Sequence, residues 1–166
     1  MSTPAPEREA LFGTDLRLLG NLLTAEQRER GADLLTGPRP QLVAPGAPDP
    51  GHDLATVERT ENLQQALLIR MLTEVGELAH LGHPEYGSRL HELIGEPNTP
   101  ATRDRAKLYA LQALTAEPRV ATVRSVTVTT HPADRTRIDV RAAVVAIDQV
   151  TEVNLVVPVP LAGGQP

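Results

Sequence analysis

The sequence predicts an α+β fold in which a small helical layer packs on a three-stranded antiparallel sheet at the carboxyl-terminal end of the chain. Two stretches, residues 58–72 and the segment between Pro100 and Pro118, repeat apolar residues at helical spacing. Beyond Pro118 the pattern changes to an alternation rich in β-branched residues, which is typical of strands. Turn sequences at 131–134 and 148–149 divide this alternating region into three strands.

Residues 58–72 form the clearest predicted helix, and Gly76 is expected to mark its end. A turn and a short second helix follow, and that helix carries Leu90, Leu93 and Ile94. Thr99 and Pro100 predict the start of a third helix, because a proline at the first helical position gives up a donor that has no partner there. The core side of this helix is predicted to carry Ala106, Tyr109, Ala110, Ala113 and Leu114.

The predicted strands each have one apolar face. The second strand places its apolar residues at Ile138, Val140, Ala142 and Val144, and the third places them at Val153, Leu155, Val157 and Val159. Such faces predict a sheet that buries one side against the helices.

The chain is predicted to divide near residue 52. Residues 1–51 are expected to be a flexible, partly helical extension, with a disordered tail up to Arg8 and a linker rich in proline and glycine from Thr36 to Gly51. Residues 52–166 are expected to form the folded domain, beginning with "HDLATV" as a short strand or extended lead-in.

Composition excludes several classes of function. A net charge of −5 and an aromatic content of 2% argue against nucleic-acid binding, which needs basic surfaces and stacking platforms. The absence of cysteine excludes disulfides and thiolate metal sites. No apolar run is long enough to cross a membrane and the first residues form no signal-peptide pattern, so a cytoplasmic location is expected.

The histidines and nearby carboxylates predict neither a metal site nor a catalytic centre. His80, His83 and His91 do not follow the spacing of a zinc helix or a zinc finger. The interleaved glutamates show no pairing of an apolar and a polar carboxylate environment, which a glycosidase requires. We therefore expect no enzyme activity and no cofactor.

The sequence Glu117-Pro118-Arg119 places an anion and a cation on either side of a rigid ring. The residue before proline is pushed out of the helical region, so Glu117 and Arg119 are expected to project to the same side of an extended chain. Such a pair can bind a complementary pair on a partner through its guanidinium group. Its commoner interpretation is a solvent-exposed ion pair worth about 0–1 kcal/mol.

Two segments together carry a resemblance to a known family: "LLIRMLTEVGELAHLGHPEYGSRLHELIGEPN" and, one helix later, "LTAEPRV". They resemble the baseplate wedge and sheath-initiator family of contractile injection machines. This family includes gene product twenty-five of phage tails, the TssE subunit of type VI secretion and the equivalent subunit of extracellular contractile injection systems. The wording of the first segment is most similar to the extracellular systems, and the resemblance covers about two thirds of the chain.

The resemblance implies a structural baseplate subunit present in six-fold copies, which links the larger wedge proteins to the sheath protein of the first ring. The inner tube or hub is a further candidate partner. It assigns Glu117, Pro118 and Arg119 to the contact with the wedge proteins. It implies a structural role for the turn formed by His83, Pro84, Tyr86, Gly87, Ser88 and Arg89.

The resemblance also implies that the sheet templates the sheath by accepting an extended arm as an additional strand. Pro158 and Pro160 lack N–H groups and blunt one end of the last strand. The acceptor is therefore expected on the edge of residues 120–130 or on residues 153–156. The candidate contacts are Val120, Val126, Val128, Val153 and Leu155.

Two alternatives remain open from the sequence. One is a cell-wall glycosidase of the baseplate, since members of this family have been labelled lysozyme-like. The other is a small adaptor that uses the same fold outside any injection machine.

Overall fold

The structure, a computed structural model, describes residues 12–19, 36–38 and 52–162. Its strands are β1 (Thr14–Leu16), β2 (Thr36–Pro38), β3 (His52–Leu54), β4 (Thr56–Glu58), β5 (Val120–His131), β6 (Asp134–Ala146) and β7 (Glu152–Pro160). Its α-helices are α1 (Arg59–Leu72) and α2 (Pro100–Thr115), and two short 3₁₀ helices span Ala79–Leu81 and Leu90–Leu93. The predicted α+β fold is confirmed.

The carboxyl-terminal sheet is an antiparallel meander in the order β5-β6-β7. The first turn joins β5 to β6 between His131 and Asp134, and in the second turn Asp148 accepts hydrogen bonds from the backbone of Val150 and Thr151. The predicted apolar faces of β6 and β7 are confirmed, because all eight residues are buried: Ile138, Val140, Ala142, Val144, Val153, Leu155, Val157 and Val159.

Both helices pack on this buried face. Helix α2 begins as the sequence predicts, since the Thr99 side chain accepts a hydrogen bond from the backbone N–H of Thr102 at 3.1 Å. It contacts mainly β5, whereas α1 lies on the β7 side of the sheet. The five predicted core residues of α2 are all buried: Ala106, Tyr109, Ala110, Ala113 and Leu114.

Two details of the helical region differ from the prediction. Helix α1 ends at Leu72 rather than near Gly76, because Thr73 becomes extended while its N–H still bonds to Ile69. Gly76 lies in the following turn at φ +89°. Ile94 is 59% exposed, because the second 3₁₀ helix stops at Leu93 and turns Ile94 away from the core.

Phe12 is an exception to the expected flexible extension of residues 1–51. Phe12 is buried in the core, and β1 pairs with β4 directly before α1. Within the predicted linker, β2 pairs with β3, so "HDLATV" forms two strands with different partners. The predicted tail before Arg8, the helix around Leu22 and the rest of the linker lie outside the described residues. The division of the chain at residue 52 stays a prediction.

Candidate functional site

The junction between α2 and β5 is built around the carboxylate of Glu117. Its side chain is only 6% exposed, and its Oε1 accepts a hydrogen bond from Arg119 Nε at 2.6 Å. Its Oε2 lies 3.3 Å from a terminal nitrogen of Arg70 on α1. Burial raises the pKa of Glu117, but the hydrogen bond from Arg119 and the charges of Arg119 and Arg70 outweigh it and hold the pKa below its usual value. The group is therefore a buried anion between two cations.

Arg119 is the part of this junction that reaches the surface. Its side chain is 26% exposed, and its Nη1 donates to the backbone carbonyl of Phe12 at 3.4 Å. Glu117 and Phe12 thus hold the guanidinium group from two directions. A guanidinium group presents several donors in one plane, so fixing two of them also fixes the direction of the others.

Arg70 joins the junction to the turn that follows α1. The centre of the Tyr86 ring lies 4.3 Å from Arg70 Cζ, within the range of a cation–π contact. Burial raises the pKa of the Tyr86 hydroxyl, against the charge of Arg70, which lowers it. The structure therefore brings together the two predicted motifs, one containing Tyr86 and the other containing Glu117 and Arg119.

The expected exposed, extended geometry of Glu117-Pro118-Arg119 is wrong. The backbone forms a turn, in which the N–H of Val120 donates to the carbonyl of Glu117 at 3.0 Å, and Glu117 itself is buried. The expectation overlooked Arg70, whose charge makes burial of the carboxylate possible.

The predicted turn motif packs against the end of α1. A Cβ atom on Gly87 would lie 2.7 Å from the backbone of Glu74, so only glycine fits there, at φ +113°. Ser88 is buried and donates to the carbonyl of Met71 at 2.8 Å. It also accepts a hydrogen bond from the backbone N–H of Leu90 at 3.3 Å, so the same hydroxyl joins the second 3₁₀ helix to the end of α1.

The remaining residues of this motif lie at the surface. His83 and Pro84 are exposed. Arg89 forms two hydrogen bonds with Glu92 and lies 4.5 Å from the centre of the Tyr109 ring. His80 is also exposed, and among residues 12–19, 36–38 and 52–162 no group of three or more possible ligands could hold a metal ion.

The outer edge of β5 carries unpaired backbone groups. The N–H of Ala146 donates to Thr151, on the β7 side of β6. Backbone groups alternate in direction along a strand, so the even-numbered residues of β6 bond to β7 and the odd-numbered residues bond to β5. Arg141 pairs with Thr127 and Asp139 with Thr129, which directs the backbone groups of Val126 and Val128 outward. No strand in the described part of the chain pairs with this edge.

A groove of about 400 Å³ lies beside this edge, between α2 and β5. On the helix side it is lined by Pro100, Arg103, Asp104 and Lys107, and on the strand side by residues 126–128. Lys107 and Asp104 are exposed, whereas Arg103 donates to Asn98 at 2.7 Å. An extended segment paired with β5 would therefore contact charged side chains of α2.

The outer edge of β7 is different. The N–H of Leu161 bonds to Thr136 on β6, so the even-numbered residues of β7 direct their backbone groups outward. Two of these residues are Pro158 and Pro160, and the carbonyl of a third, Asn154, accepts a hydrogen bond from Gln64 of α1 at 3.0 Å. Val156 is the remaining even-numbered residue between these positions.

Three of the five candidate edge residues are therefore unsuitable as strand acceptors. Val153 and Leu155 direct their backbone groups toward β6, and Val120 donates its N–H to Glu117. Val126 and Val128 keep outward groups. The sequence showed where the prolines lie. It did not show whether the even- or the odd-numbered residues direct their backbone groups outward, because that depends on the register with β6.

The sequence interpretation missed Arg70 and Phe12. A signal for Arg70 was present, because it is a charged residue within the apolar stretch of α1 between Leu67 and Met71. Phe12 carried no comparable signal, since its contact with Arg119 spans more than a hundred residues of sequence.

Comparison with known proteins supports the fold. No protein-family model and no curated protein matches the chain. A crystal structure of a Geobacter sulfurreducens protein provisionally named tail lysozyme is similar, with a TM-score of 0.51 and 24% sequence identity. The match covers 61% of this chain and 89% of that one. No helix in the described residues is long and apolar enough to cross a membrane.

Proposed function

We propose that this chain is a structural baseplate subunit of a contractile injection system, which joins the larger wedge proteins to the first ring of the sheath. The fold is shared with a protein that is provisionally named a tail lysozyme. The sequence motifs around Tyr86 and Glu117 resemble those of the baseplate family and meet in one network. The chain would be made in the cytoplasm and incorporated, in six-fold copies, into a phage tail-like particle.

The observation that carries the wedge contact is the fixed orientation of Arg119. Its guanidinium group is held by Glu117 and Phe12 and is still 26% exposed. A preorganised guanidinium group can bind a partner carboxylate with two parallel hydrogen bonds and loses little conformational entropy in doing so. We propose that Arg119 makes this contact and that Glu117 supports it from inside.

The test separates the two residues of the pair. Glu117→Ala leaves Arg70 buried without its anion and is expected to destabilise the monomer by about 3–5 kcal/mol. Arg119→Ala leaves Glu117 paired with Arg70 and is expected to keep the fold while preventing baseplate assembly. Arg119→Lys is the matched control, since it keeps the charge but loses the planar pair of donors.

Assembly is measured by co-expressing the chain with the large wedge, tube and sheath proteins of its particle and imaging the products by electron microscopy. The proposal predicts particles with wild type, and bare or absent baseplates with both Arg119 variants. Normal sheathed particles formed by Arg119→Ala would overturn the wedge contact. A particle map without this chain in the baseplate would overturn the proposed function.

We propose that the sheath arm pairs with β5. The edge offers the outward N–H and C=O groups of Val126 and Val128, and unpaired edges of this kind bind extended segments. The adjacent groove gives room for the side chains of an added strand.

A glycosidase is the second candidate, because the similar Geobacter protein is provisionally named a lysozyme. A glycosidase needs one carboxyl group whose pKa is raised, so that it can protonate the leaving group. Within residues 12–19, 36–38 and 52–162, the carboxyl groups with a displaced pKa are Glu92, Glu117 and Asp134, and each is displaced downward. We therefore propose no catalytic role, and release of reducing sugar from peptidoglycan that is lost on Glu→Gln substitution would overturn this.

A further inference from the structure

Residues Phe12–Leu19, which we call the N-terminal strap, are fastened to α1 by buried side chains. The Phe12 side chain is 3% exposed, and its backbone carbonyl accepts a hydrogen bond from Asn62 Nδ2 at 2.7 Å. Asn62 is itself buried. This end of the strap is therefore fixed both by apolar packing and by a buried amide.

Gln65 fastens the other end of the strap. Its Oε1 accepts from the backbone N–H groups of Leu18 and Leu19 at 2.9 and 3.2 Å, and its Nε2 donates to the carbonyl of Leu16 at 2.8 Å. The Gln65 residue is 1% exposed. A buried amide without hydrogen-bond partners costs free energy, and the backbone of the strap supplies these partners to Gln65 of α1.

The strap also reaches the wedge-contact motif. The same Phe12 carbonyl that Asn62 holds lies 3.4 Å from Arg119 Nη1, on the side of the guanidinium group away from its Nε bond to Glu117. Arg119 Nη2 makes no hydrogen bond with residues in the described ranges. The two fixed donors leave the N–H groups of Nη2 and the second N–H of Nη1 for a partner, and these two nitrogens can bind one carboxylate in parallel.

We propose that the N-terminal strap positions Arg119, so that the wedge contact depends on a segment far from the motif in sequence. Phe12 and Asn62 act through the orientation of the guanidinium group and need not touch the partner. The binding part of this inference rests on the proposed function, whereas the orientation of Arg119 does not. The strap thereby affects the wedge contact indirectly, by holding Arg119.

The test uses the full chain with Asn62→Ala or Phe12→Ala. The first substitution removes the donor that fixes the carbonyl, and the second removes the apolar anchor of the same residue. The first measurement is the NMR signal of the Arg119 Nε–H group, which is assigned by its loss in Arg119→Lys. Both strap variants are expected to shift or broaden this signal.

The second measurement is affinity for the purified complex of the two larger wedge proteins. We expect a loss of about tenfold in both variants, equivalent to one weakened charge-assisted hydrogen bond. Arg17→Ala is the control within the strap, because it removes only the exposed ion pair with Glu61. Leu161→Ala is the control for lost stability, since this buried residue lies at the far end of the sheet.

The outcomes separate the two proposals. An unchanged Arg119 signal in both strap variants overturns the positioning role, whatever happens to binding. An equal change in Leu161→Ala also overturns it, because the signal would then report general loss of stability. A wild-type chain that does not bind the wedge complex overturns the proposed function. A shifted Arg119 Nε–H signal in the two strap variants would still support the positioning of Arg119 by the strap.

Discussion

The two edges of the carboxyl-terminal sheet have opposite character, although both are formed by outer strands of one meander. Within the described residues no strand pairs with the outward backbone groups of Val126 and Val128 on β5, which border a groove with charged side chains. On β7 two outward positions are prolines, and Gln64 binds the carbonyl of a third. Ala162, directly beyond β7, donates to the carbonyl of Glu96.

The difference shows that an edge can be closed without another strand. Prolines remove donors, a glutamine side chain uses an acceptor, and a loop covers the end. No such device acts at Val126 and Val128, so the molecule distinguishes the two sides of its sheet. We therefore expect substitutions at the two edges to have different effects on assembly.

The largest difference is expected between Val128→Pro and Val156→Pro. Both residues are partly buried valines whose N–H groups point outward, so neither substitution removes a hydrogen bond inside the sheet. Val128→Pro removes a donor from the open edge and is expected to stop sheath growth on assembled baseplates. Val156→Pro should leave sheath growth intact.

Sheath length is measured by negative-stain microscopy, and circular dichroism confirms that both variants fold. The reverse result, with loss of sheath only in Val156→Pro, would place the incoming arm on β7. Val126→Pro is a less direct test than Val128→Pro, because Val126 is also a core residue at 7% exposure.

Opening the closed edge is expected to have the next largest effect. The double variant Pro158→Ala and Pro160→Ala restores two outward N–H groups on β7, so the chain should begin to self-associate. The wider conformational freedom of the unfolded chain should also lower stability by about 0.4–1 kcal/mol per substitution. Sedimentation velocity measures the association, with Pro132→Ala in the β5–β6 turn as the control. A double variant that stays monomeric like the control would show that the prolines do not protect this edge.

A smaller effect is expected from the charge of the groove. Lys107→Glu reverses an exposed cation beside the open edge, and Lys107→Arg keeps it. If the incoming arm carries acidic residues toward α2, as the cations of the groove favour, the glutamate variant recruits sheath protein several-fold more slowly at low salt. The difference should shrink as ionic strength rises. Equal recruitment rates for the wild type, Lys107→Glu and Lys107→Arg would show that the groove does not take part in the contact.

The smallest effect is expected from Gln64→Ala, which frees the carbonyl of Asn154 on β7. The loss of the hydrogen bond to Asn154 alone predicts about 0.5–1.5 kcal/mol lower stability in urea unfolding, with no change in sheath growth. A defect in sheath growth at unchanged stability would instead indicate that β7 participates in the contact.

The regular part of the fold could be predicted because its signals are local. The apolar spacing of α1 and α2 and the alternation in β6 and β7 each depend on neighbours within one element. The start of α2 at Thr99 could be predicted equally well, since the N-cap side chain bonds to a residue only three positions away. Exposure of Ile94 was not, because it depends on where a short 3₁₀ helix stops.

The candidate site was predictable in its residues but not in its geometry. The sequence identified Glu117 and Arg119, yet the burial of Glu117 depends on Arg70, 47 residues earlier. The role of Phe12 depends on a contact with Arg119, 107 residues later in the sequence. Which residues of β5 and β7 offer free backbone groups depends on register, which a single-strand pattern does not contain.

A sheet with one usable edge behaves as a monofunctional monomer. A subunit with two open edges can join neighbours on both sides and form a chain of unlimited length, as a bifunctional monomer does in polymer chemistry. Because Pro158, Pro160 and Gln64 close the edge of β7, the sheet can accept an added strand from one partner at a time, at β5. Free copies can pair through that edge, but they cannot build a fibre, so the open edge can be kept accessible at high subunit concentration.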